Sequence, residues 1–398
     1  MRAAWQNVPL GEFVRLQRGY DLPERSRCRG HVPVVGSAGI NGYHNVARVK
    51  GPGVAIGRSG ASFGKVSFVS DDFWPHNTAL FVTDFLGNDP KYVAYALKIQ
   101  DFDCYNSGSA QQSLNRNYLY SCKLRVPPLP TQRRIASILS AYDDLIENNT
   151  RRIAILEEMA RRLYEEWFVR FRFPGHEDAT FRDTELGRVP EGWEIRPVSE
   201  TFDIVGGGTP SKKQVEYWDG GTINWYAPTD LTREGTAFMD KSGNQITEIG
   251  LKKSSAKLFP AMSVMMTSRA TIGAISINTT TACTNQGFIT CLPNSSFPLY
   301  LLFHWLHANV EKFVGLGTGA TFKEITKGTF KTIPVLVPPR PVTEQYQLNV
   351  APMFDLVLRL QRKNANLRAQ RDLLLPKLVS GEIDVSEAPL PTREIAAQ

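Results

Sequence analysis

Residues 135–167 read IASILSAYDDLIENNTRRIAILEEMARRLYEEW, and this stretch decides how the rest of the chain is organised. Apolar side chains recur at alternating spacings of three and four residues, a heptad pattern that predicts a long helix paired with another helix. At about 34 residues such a helix would be about 50 Å long. Its a positions are Ile135, Tyr142, Asn149, Leu156 and Leu163, and its d positions are Leu139, Ile146, Ile153, Ala160 and Trp167.

The partner helix is predicted in the same chain, because the pattern returns near the carboxyl end. Val126-Pro127-Pro128 recurs as Val337-Pro338-Pro339, an offset of 211 residues, and a helix-forming stretch follows each copy. Pro352 and Pro376 are expected to limit the second helix to roughly the span between them. The offset assigns Met353, Leu360, Leu367 and Leu374 to a positions, and Val357, Asn364 and Arg371 to d positions.

Each apolar stripe contains one asparagine, and the two asparagines predict the register of the pair. If the helices are antiparallel with Asn149 opposite Asn364, almost all of the remaining layers are apolar. The buried asparagines then cost stability but specify the alignment. The alternative is that each helix packs on its own domain and leaves its asparagine at a solvated edge. The remaining layers of the paired arrangement are Ala160–Met353, Leu156–Val357, Ile153–Leu360, Ile146–Leu367, Tyr142–Arg371 and Leu139–Leu374.

Ahead of each helix lies a segment of short β-like runs separated by glycine turns, so the chain repeats one plan twice. Val54-Ala55-Ile56-Gly57-Arg58 resembles residues 264–269, and Asn77-Thr78-Ala79 resembles Asn285-Gln286-Gly287. The sequence therefore predicts an α+β fold, with two β-rich domains separated by two long helices that pair as an antiparallel coiled coil. The predicted boundaries are 1–128 and 173–339 for the domains, 129–172 and 340–385 for the helical spacers, and 386–398 for a flexible tail.

Composition and charge restrict the class of protein. The 398 residues include 42% hydrophobic ones, enough for full-sized cores, and a net charge of +7 favours a polyanionic partner. The amino terminus lacks the apolar run of a signal peptide, and no apolar segment is long enough to span a bilayer, so a cytoplasmic protein without membrane contact is expected. The five cysteines form no C-x-x-C pair, which argues against zinc and for a reducing compartment.

Motifs of nucleotide and methyl-transfer chemistry are absent from the sequence, so no catalytic or metal-binding residue is predicted. No Asn-Pro-Pro-Tyr or Asp-Pro-Pro-Tyr motif for holding a flipped base occurs. The glycines of residues 315–319 lack the strand and helix of a dinucleotide site, and residues 60–66 have the wrong glycine spacing for a P-loop. His304 and His307 have no partner cluster, and packing is their expected role.

Several motifs resemble those of the specificity subunits of type I restriction–modification systems, and the resemblance covers nearly the whole chain. Residues 127–136, PPLPTQRRIA, resemble the start of the central helical region of that family, and residues 186–193, LGRVPEGW, resemble the approach to its second domain. Residues 341–345 carry one residue more than the first copy, which is a departure from the pattern. The other matching motifs are GRSG at 57–60, DFWP at 72–75, GGGTPS at 206–211, YW at 217–218, TNQGF at 284–288 and LPKLVSGEI at 375–383.

The resemblance implies a non-catalytic subunit that binds double-stranded DNA. Its β-rich segments would be target-recognition domains, each reading one half of a split, asymmetric target, and the paired helices would set the gap. Two methyltransferase (M) subunits would bring S-adenosylmethionine and nuclease (R) subunits would bring ATP with Mg²⁺, while this chain itself would hold no cofactor. The alternatives are a stand-alone two-domain DNA-binding regulator without such partners, and an enzyme with a degenerate methyltransferase or nuclease site.

DNA-reading residues are expected in polar loops of both domains. Arginine and lysine contact phosphates and guanine, and asparagine and glutamine pair with adenine. Asn77 and Asn285 recur in both copies and are equally well explained as scaffold groups that satisfy the backbone. The candidates in the first domain are Arg58, Lys65, His76, Asn77, Gln111, Gln112, Asn115 and Arg116. The candidates in the second domain are Lys212, Lys213, Arg269, Asn285, Gln286, Thr318, Thr321 and Lys323.

The expected helix register predicts a disulfide. In a chain cleared of native cysteines, Asn149→Cys combined with Asn364→Cys should oxidise readily, because residues opposite each other in a helix pair bring their Cβ atoms within reach of a disulfide. Asn149→Cys combined with Arg371→Cys, about two turns away along the second helix, should stay reduced. Titration of free thiols after mild oxidation distinguishes the two variants, and thiols that remain free in the first variant would contradict the register.

Overall fold

A computed structural model describes residues 5–108, 112–319 and 322–387 of the chain. The chain forms two compact units: unit 1 comprises the residues up to Asn148 and those from Asn364 onward, and unit 2 comprises Asn149–Lys363. Each unit contains one β-rich domain together with part of each long helix. The predicted α+β architecture with two long helices is confirmed. No helix of the described residues combines the length and the apolar character needed to cross a membrane.

The first domain, in unit 1, is built from small sheets. Its strands are β1 (Gln6–Pro9), β2 (Arg15–Arg18), β3 (Val32–Gly36), β4 (Gly39–His44), β5 (Gly53–Gly57), β6 (Val66–Val69), β7 (Trp74–Pro75), β8 (Ala79–Asp84) and β9 (Lys123–Val126). Its helices are α1 (Leu10–Phe13), α2 (Pro90–Lys98), α3 (Arg116–Leu119) and the beginning of α4 (Leu129–Tyr164). An antiparallel sheet has the order β2-β8-β5-β6, a second sheet has the order β4-β3-β7, and β1 pairs with β9. The apolar runs of β5 and β8 are buried, which is why these strands occupy the middle of their sheet.

The second domain, in unit 2, has longer connections. Its strands are β10 (Phe181–Thr184), β11 (Gly187–Pro190), β12 (Glu194–Pro197), β13 (Asp203–Gly206), β14 (Ile223–Tyr226), β15 (Phe238–Met239), β16 (Asn244–Ile246), β17 (Val264–Thr267), β18 (Ile275–Asn278), β19 (Ala282–Thr284), β20 (Phe288–Leu292) and β21 (Pro334–Val337). Its helices are α5 (Val198–Thr201), α6 (Pro228–Glu234), α7 (Glu248–Lys252), α8 (Leu299–Ala308), α9 (Val310–Leu316), α10 (Lys327–Lys331) and the beginning of α11 (Arg340–Ser380).

The two domains repeat one strand topology. The order β2-β8-β5-β6 of the first domain returns as β13-β20-β17-β18 in the second, and every neighbouring pair in both is antiparallel. The sheet β4-β3-β7 returns as β16-β14-β19, with one parallel pair in each. The second domain adds β15 to the edge of its larger sheet and inserts α6 and α7. The repeat read from the sequence is therefore a repeat of architecture.

The two long helices contact each other within each unit, and they run antiparallel. In unit 1, Arg371 forms an ion pair with Asp143 at 2.5 Å, and the Asn364 side-chain amide donates to the Ile146 carbonyl at 3.3 Å. In unit 2, the ring of Tyr164, the last residue of α4, has its centroid 6.5 Å from that of Tyr346 on α11, and both rings pack into the same core. The fourteen residues predicted to pair the helices are all buried or half-buried.

The prolines do not limit the second helix as expected. α11 continues through both Pro352 and Pro376. A proline inside a helix removes one N–H donor and leaves the carbonyl four residues earlier without its partner. Those carbonyls belong to Leu348 and Asp372, and both residues are exposed, so water can satisfy them. The expectation was wrong because the cost of an interior proline depends on which side of the helix faces solvent.

The carboxyl-terminal segment completes the core of unit 1. Leu378, Val379 and Val385 are buried in the same cluster as the side chains of α1 and α2. Arg125 donates to the Ser380 carbonyl at 2.9 Å, which fixes the end of α11 against the first domain. Of the predicted flexible tail, residues 388–398 lie outside the described residues.

Asp143 joins three helices of unit 1, and its loss should weaken that unit. The Tyr95 hydroxyl of α2 donates to this carboxylate at 2.6 Å, and the carboxylate also pairs with Arg371. Asp143→Ala should lower the free energy of unfolding by about 1–3 kcal/mol, since buried Tyr95 and half-buried Arg371 lose a charged acceptor. Urea unfolding measures the change. Asp144→Ala, at an exposed neighbouring position, is the matched control and should change stability by less than about 0.5 kcal/mol; equal losses would contradict the role of Asp143.

Candidate nucleic-acid interface

The first domain contains a polar cleft of about 760 Å³ where the loops after β2 and β5 meet the loop before α3. Three predicted residues, Arg58, Asn115 and Arg116, line it together. Loops at strand ends can present side chains to a ligand without disturbing the sheets, so this cleft is the candidate DNA-binding site of unit 1. The other lining residues include Gln17, Arg18, Gly19, Tyr20, Asp21 and Ser113.

Arg58 has the most suitable environment for binding a ligand. Its N–H donates to the Thr78 carbonyl at 2.9 Å and its carbonyl accepts from Leu114 at 2.8 Å, so the backbone is fixed on both sides. The guanidinium forms no hydrogen bond with the described part of the chain and is half-exposed in the cleft. By contrast, Asn115 caps α3 through the Asn117 N–H at 3.0 Å, and Arg116 donates to the Leu16 carbonyl at 3.3 Å. Asn115 and Arg116 therefore have structural contacts as well as a place in the cleft.

His76 and Asn77 border the cleft through Asp21. The Asn77 amide donates to the Asp21 carboxylate, which lies 3.9 Å from the Arg18 guanidinium. Burial lowers the pKa of His76 and the nearby Arg27 lowers it further, so the imidazole is neutral near pH 7. Asp21 and Arg18 were not predicted from the sequence. Gly19 marks the point where the two loops meet, since a Cβ on this residue would lie 2.1 Å from the His76 carbonyl oxygen. This glycine was the sequence feature that could have pointed to Arg18 and Asp21 on either side of it.

Two further candidates of the first domain do not line this cleft. The Lys65 amine donates to the Ala38 carbonyl at 2.8 Å, beside the β3–β4 hairpin. Gln112 is exposed, just before the cleft-lining Ser113, and Gln111 lies outside the described residues. The structure therefore assembles only part of the predicted set.

The second domain repeats the backbone frame around Arg58, but with another residue at its centre. Ser268 donates to the Gly287 carbonyl at 2.8 Å and accepts from Ile325 at 3.0 Å, as Arg58 does with Thr78 and Leu114. Ser268 thus occupies the position of Arg58, and Arg269 the position after it. The similarity of the two sequence segments suggested that Arg58 and Arg269 are equivalent. The hydrogen bonds show instead that Arg269 lies one residue after the position equivalent to Arg58. Successive residues of an extended chain point to opposite sides, so the two arginines present their charges differently.

Arg269, Thr318 and Lys323 come together in the second domain. Thr318 and Glu324 exchange backbone hydrogen bonds at 3.0 and 2.9 Å, and Ala270 donates to the Lys323 carbonyl at 3.0 Å. The Arg269 Nε lies 3.8 Å from the Glu324 carboxylate, an exposed pair that a phosphate or base can replace at little cost. Thr321 lies outside the described residues.

The loop of Asn285 and Gln286 borders this cluster. The Asn285 side-chain oxygen accepts the Gly287 N–H at 2.9 Å, which supports the scaffold interpretation of this asparagine. Gln286 accepts from the Thr209 hydroxyl at 2.5 Å and is exposed. At Gly207 a Cβ would lie 1.9 Å from the Asn285 carbonyl oxygen, so the glycine loop packs as tightly here as Gly19 does in the first domain.

Lysines of the second domain are divided between this site and a separate loop. Lys212 and Lys213 are exposed, and no described contact joins them to the cluster around Arg269. Lys327, which was not predicted, packs over Gly206, where a Cβ would lie 1.5 Å from its amine nitrogen. The offset of 211 residues from Arg116 gives Lys327, and that offset was the signal that could have found it.

Buried His304 has a packing role. Its Nδ1 lies 2.7 Å from the Tyr300 carbonyl oxygen, and its ring stacks on Tyr164 with centroids 5.7 Å apart. Burial lowers its pKa to about 4, so it is neutral at physiological pH. Within the described ranges, no group of three or more His, Cys, Asp or Glu side chains is arranged to hold a metal ion.

Two domains with one frame and different polar side chains, joined by an antiparallel helix pair, define a two-site recognition protein. A family model for the type I restriction modification DNA specificity domain matches residues 3–158 and 190–356. The chain belongs to this family, as its motifs predicted. The family consists of recognition subunits and not of catalysts.

Individual relatives agree with this assignment. The MjaIX specificity subunit of Methanocaldococcus jannaschii is 32% identical over 200 residues, which are 50% of this chain and 45% of that protein. The HindI specificity subunit of Haemophilus influenzae is 26% identical over 321 residues, covering 66% and 69% respectively. The chain thus matches less than half the length of the first relative. The S subunit structure from M. genitalium superposes with a TM-score of 0.62 at 15% identity over 95% of this chain and 96% of that one, and so shares its fold.

The neighbouring residues Asn285 and Gln286 should respond differently to alanine substitution. Asn285→Ala leaves the buried Gly287 N–H without its acceptor and should lower the free energy of unfolding by about 1–3 kcal/mol. Gln286→Ala removes only an exposed contact and should change stability by less than about 0.5 kcal/mol. Thermal unfolding of both variants measures the difference. A stable Asn285→Ala variant with reduced DNA affinity would instead make Asn285 a base reader.

Proposed function

We propose that this chain is the DNA-reading subunit of a type I restriction–modification complex, and that each domain reads one half of a split target. The observation that carries the proposal is the repeated backbone frame with different side chains at its centre. Equal frames let both domains approach duplex DNA in the same way. The accessible charge is Arg58 in one domain and Arg269, one position further along the frame, in the other, because Ser268 at the position of Arg58 is buried. The two domains thus present different groups, from which we infer that the half-sites differ and that the target is asymmetric.

The chemistry of each site suits the edges of base pairs in the major groove. A fixed arginine such as Arg58 can bind O6 and N7 of guanine with two hydrogen bonds, and a carboxylate such as Asp21 can accept from the amino group of cytosine. Lysines on the rim, including Lys323 and Lys327, suit phosphates, which position the protein without reading sequence. Arg58 and Arg269 are therefore the proposed base readers of the two domains.

The long helices would serve as the spacer and as the docking element for partners. The 36 residues of α4 correspond to about 54 Å, more than one turn of duplex. Its Ile155 and Met159, which lie one turn apart, are 59% and 49% exposed and offer an apolar surface for a methyltransferase subunit. Two M subunits would supply S-adenosylmethionine, and R subunits would supply ATP with Mg²⁺. Because its substrate is DNA, the assembled complex is proposed to work in the cytoplasm.

Methylation mapping tests this function. The chain is co-expressed with its M partner in a host without DNA methylation, and modified adenines are located by single-molecule sequencing. The expected result is one split, asymmetric motif with a constant gap. A soluble complex with a competent M subunit that leaves the DNA unmodified would overturn the proposal.

Single substitutions in the two sites should relax different halves of that motif. Arg58→Ala should broaden only the half-site read by the first domain, and Arg269→Ala only the other, with a loss of about 1–3 kcal/mol of discrimination at one base pair. The gap and the untouched half-site serve as internal controls in the same sequencing data. Relaxation of both halves by one substitution would contradict the assignment of one domain to each half-site.

A further inference from the structure

Positive charge is concentrated in one part of the first domain. Residues 15–50 contain seven arginines and lysines against two acidic residues, an excess of five in a chain whose net charge is +7. Over the predicted domains, residues 1–128 contain fifteen basic and nine acidic residues, whereas residues 173–339 contain fifteen basic and sixteen acidic ones. The two domains therefore have similar frames but differ in net charge.

The centre of this charge is a short segment, residues 24–31 (ERSRCRGH), here called the basic arm. It is held against the β3–β4 hairpin by its middle residues. Arg27 donates to the Asn41 carbonyl at 2.9 Å, and the Cys28 N–H donates to the ring of buried His44 at 3.0 Å. Gly30 packs so closely on His44 that a Cβ would lie 2.2 Å from its carbonyl oxygen. The backbone of the arm is thus fixed before any ligand binds.

The side chains on either side of these anchors are directed to solvent. Arg25 and Arg29 of the arm, and Lys50 on the neighbouring loop, are exposed, and in the described ranges no carboxylate lies within ion-pair distance of any of them. Acidic groups are present but fewer: Glu24 lies in the arm, and the Asp72 carboxylate accepts the Gly51 N–H beside Lys50 at 2.9 Å. An excess of positive charge on a rigid support favours a partner with regularly spaced negative charges. Duplex DNA, with one phosphate charge per about 1.7 Å of its axis, is such a partner.

The arm is continuous with the candidate site of the first domain. The Arg48 guanidinium lies 4.8 Å above the ring of Tyr20, which lines the cleft beside Arg58. Arg27 is close enough to His76, at the border of the cleft, to affect its pKa. A duplex whose base pairs face the cleft would therefore extend its backbone towards the arm.

We propose that the basic arm binds the phosphate backbone of the duplex next to the half-site of the first domain, through Arg25, Arg29 and Lys50. The inference rests on the proposed DNA-reading function and adds an asymmetry to it. The first domain holds its half-site with more ionic contacts than the second, and it supplies the larger part of the salt-dependent affinity. The arm contributes to affinity for any duplex and not to the choice of bases.

Salt-dependent binding by the complete complex with the M subunit tests the arm. Affinity is measured by fluorescence anisotropy between 50 and 300 mM salt, for the target duplex from the methylation map and for a scrambled duplex. The variant replaces Arg25, Arg29 and Lys50 with glutamine. Its slope of log affinity against log salt should be shallower by about 2–3, since each lost phosphate contact removes about 0.9. Affinity at low salt should fall by roughly tenfold or more for both duplexes, with an unchanged methylation motif.

The matched control replaces Lys123, Lys252 and Lys253, three exposed lysines, with glutamine, which changes the net charge equally. Its slope should remain that of the natural chain. An unchanged slope in the arm variant, an equal loss in the control, or a loss confined to the target duplex would each overturn the proposal. Failure of the arm variant to assemble with M would also overturn the proposal, because the arm would then bind an acidic surface of that protein.

The scrambled duplex keeps the two proposals separate. The proposed function fails if the natural complex shows no preference for any target, yet the arm is still tested by its effect on binding to scrambled DNA. Conversely, a clear split motif combined with an unchanged slope in the arm variant removes the arm and leaves the function intact.

Discussion

Neither long helix can bury its apolar stripe alone, and the rest of the structure depends on that constraint. An isolated helix is marginal in water, and its leucines and valines need a partner surface. Each unit therefore takes one segment of α4 and one of α11 into its core. Polar contacts then fix how the helices are oriented on each domain. In unit 1, Asp143 accepts hydrogen bonds from Tyr95 and Arg371. In unit 2, Arg362 donates two hydrogen bonds of 2.9 and 2.7 Å to Asp240. Each domain is thus fixed to its helix segments in a defined orientation.

Around that scaffold, the recognition sites are held by the backbone. The hydrogen bonds on both sides of Arg58 recur around Ser268, and the tight approach of Gly19 to its neighbouring loop recurs at Gly207. None of these interactions depends on the identity of the side chain that faces the cleft. A frame of this kind holds a half-exposed arginine in one domain, and a buried serine followed by the exposed Arg269 in the other, without a change of fold. Because the frame does not depend on these side chains, two copies of one architecture can carry different polar groups at the equivalent position.

The sequence predicts those features that depend on residues close together in the chain. The heptad spacing predicts the long helices, and the Val-Pro-Pro repeat marks where each of them begins. Passage of α11 through Pro352 could not be predicted, because it depends on Leu348 facing solvent, which is a tertiary property. Most of the candidate site could not be predicted from individual loops either. The cleft combines segments around residues 17–21, 58 and 113–116, and these lie next to each other only because of the strand order. Asp21 was missed for this reason, and Lys65 was included although it satisfies a carbonyl of a distant hairpin.

The composition of the two units also has a consequence for synthesis. Unit 2 is one continuous stretch, Asn149–Lys363, whereas unit 1 needs both ends of the chain, because Leu378, Val379 and Val385 complete its core. Domains generally fold as units while the chain emerges from the ribosome, and usually the amino-terminal one folds first. Here the order is reversed: the second domain has all of its residues while the first still lacks part of its core. The amino-terminal domain reaches its final packing only after Leu378, Val379 and Val385 have been synthesised.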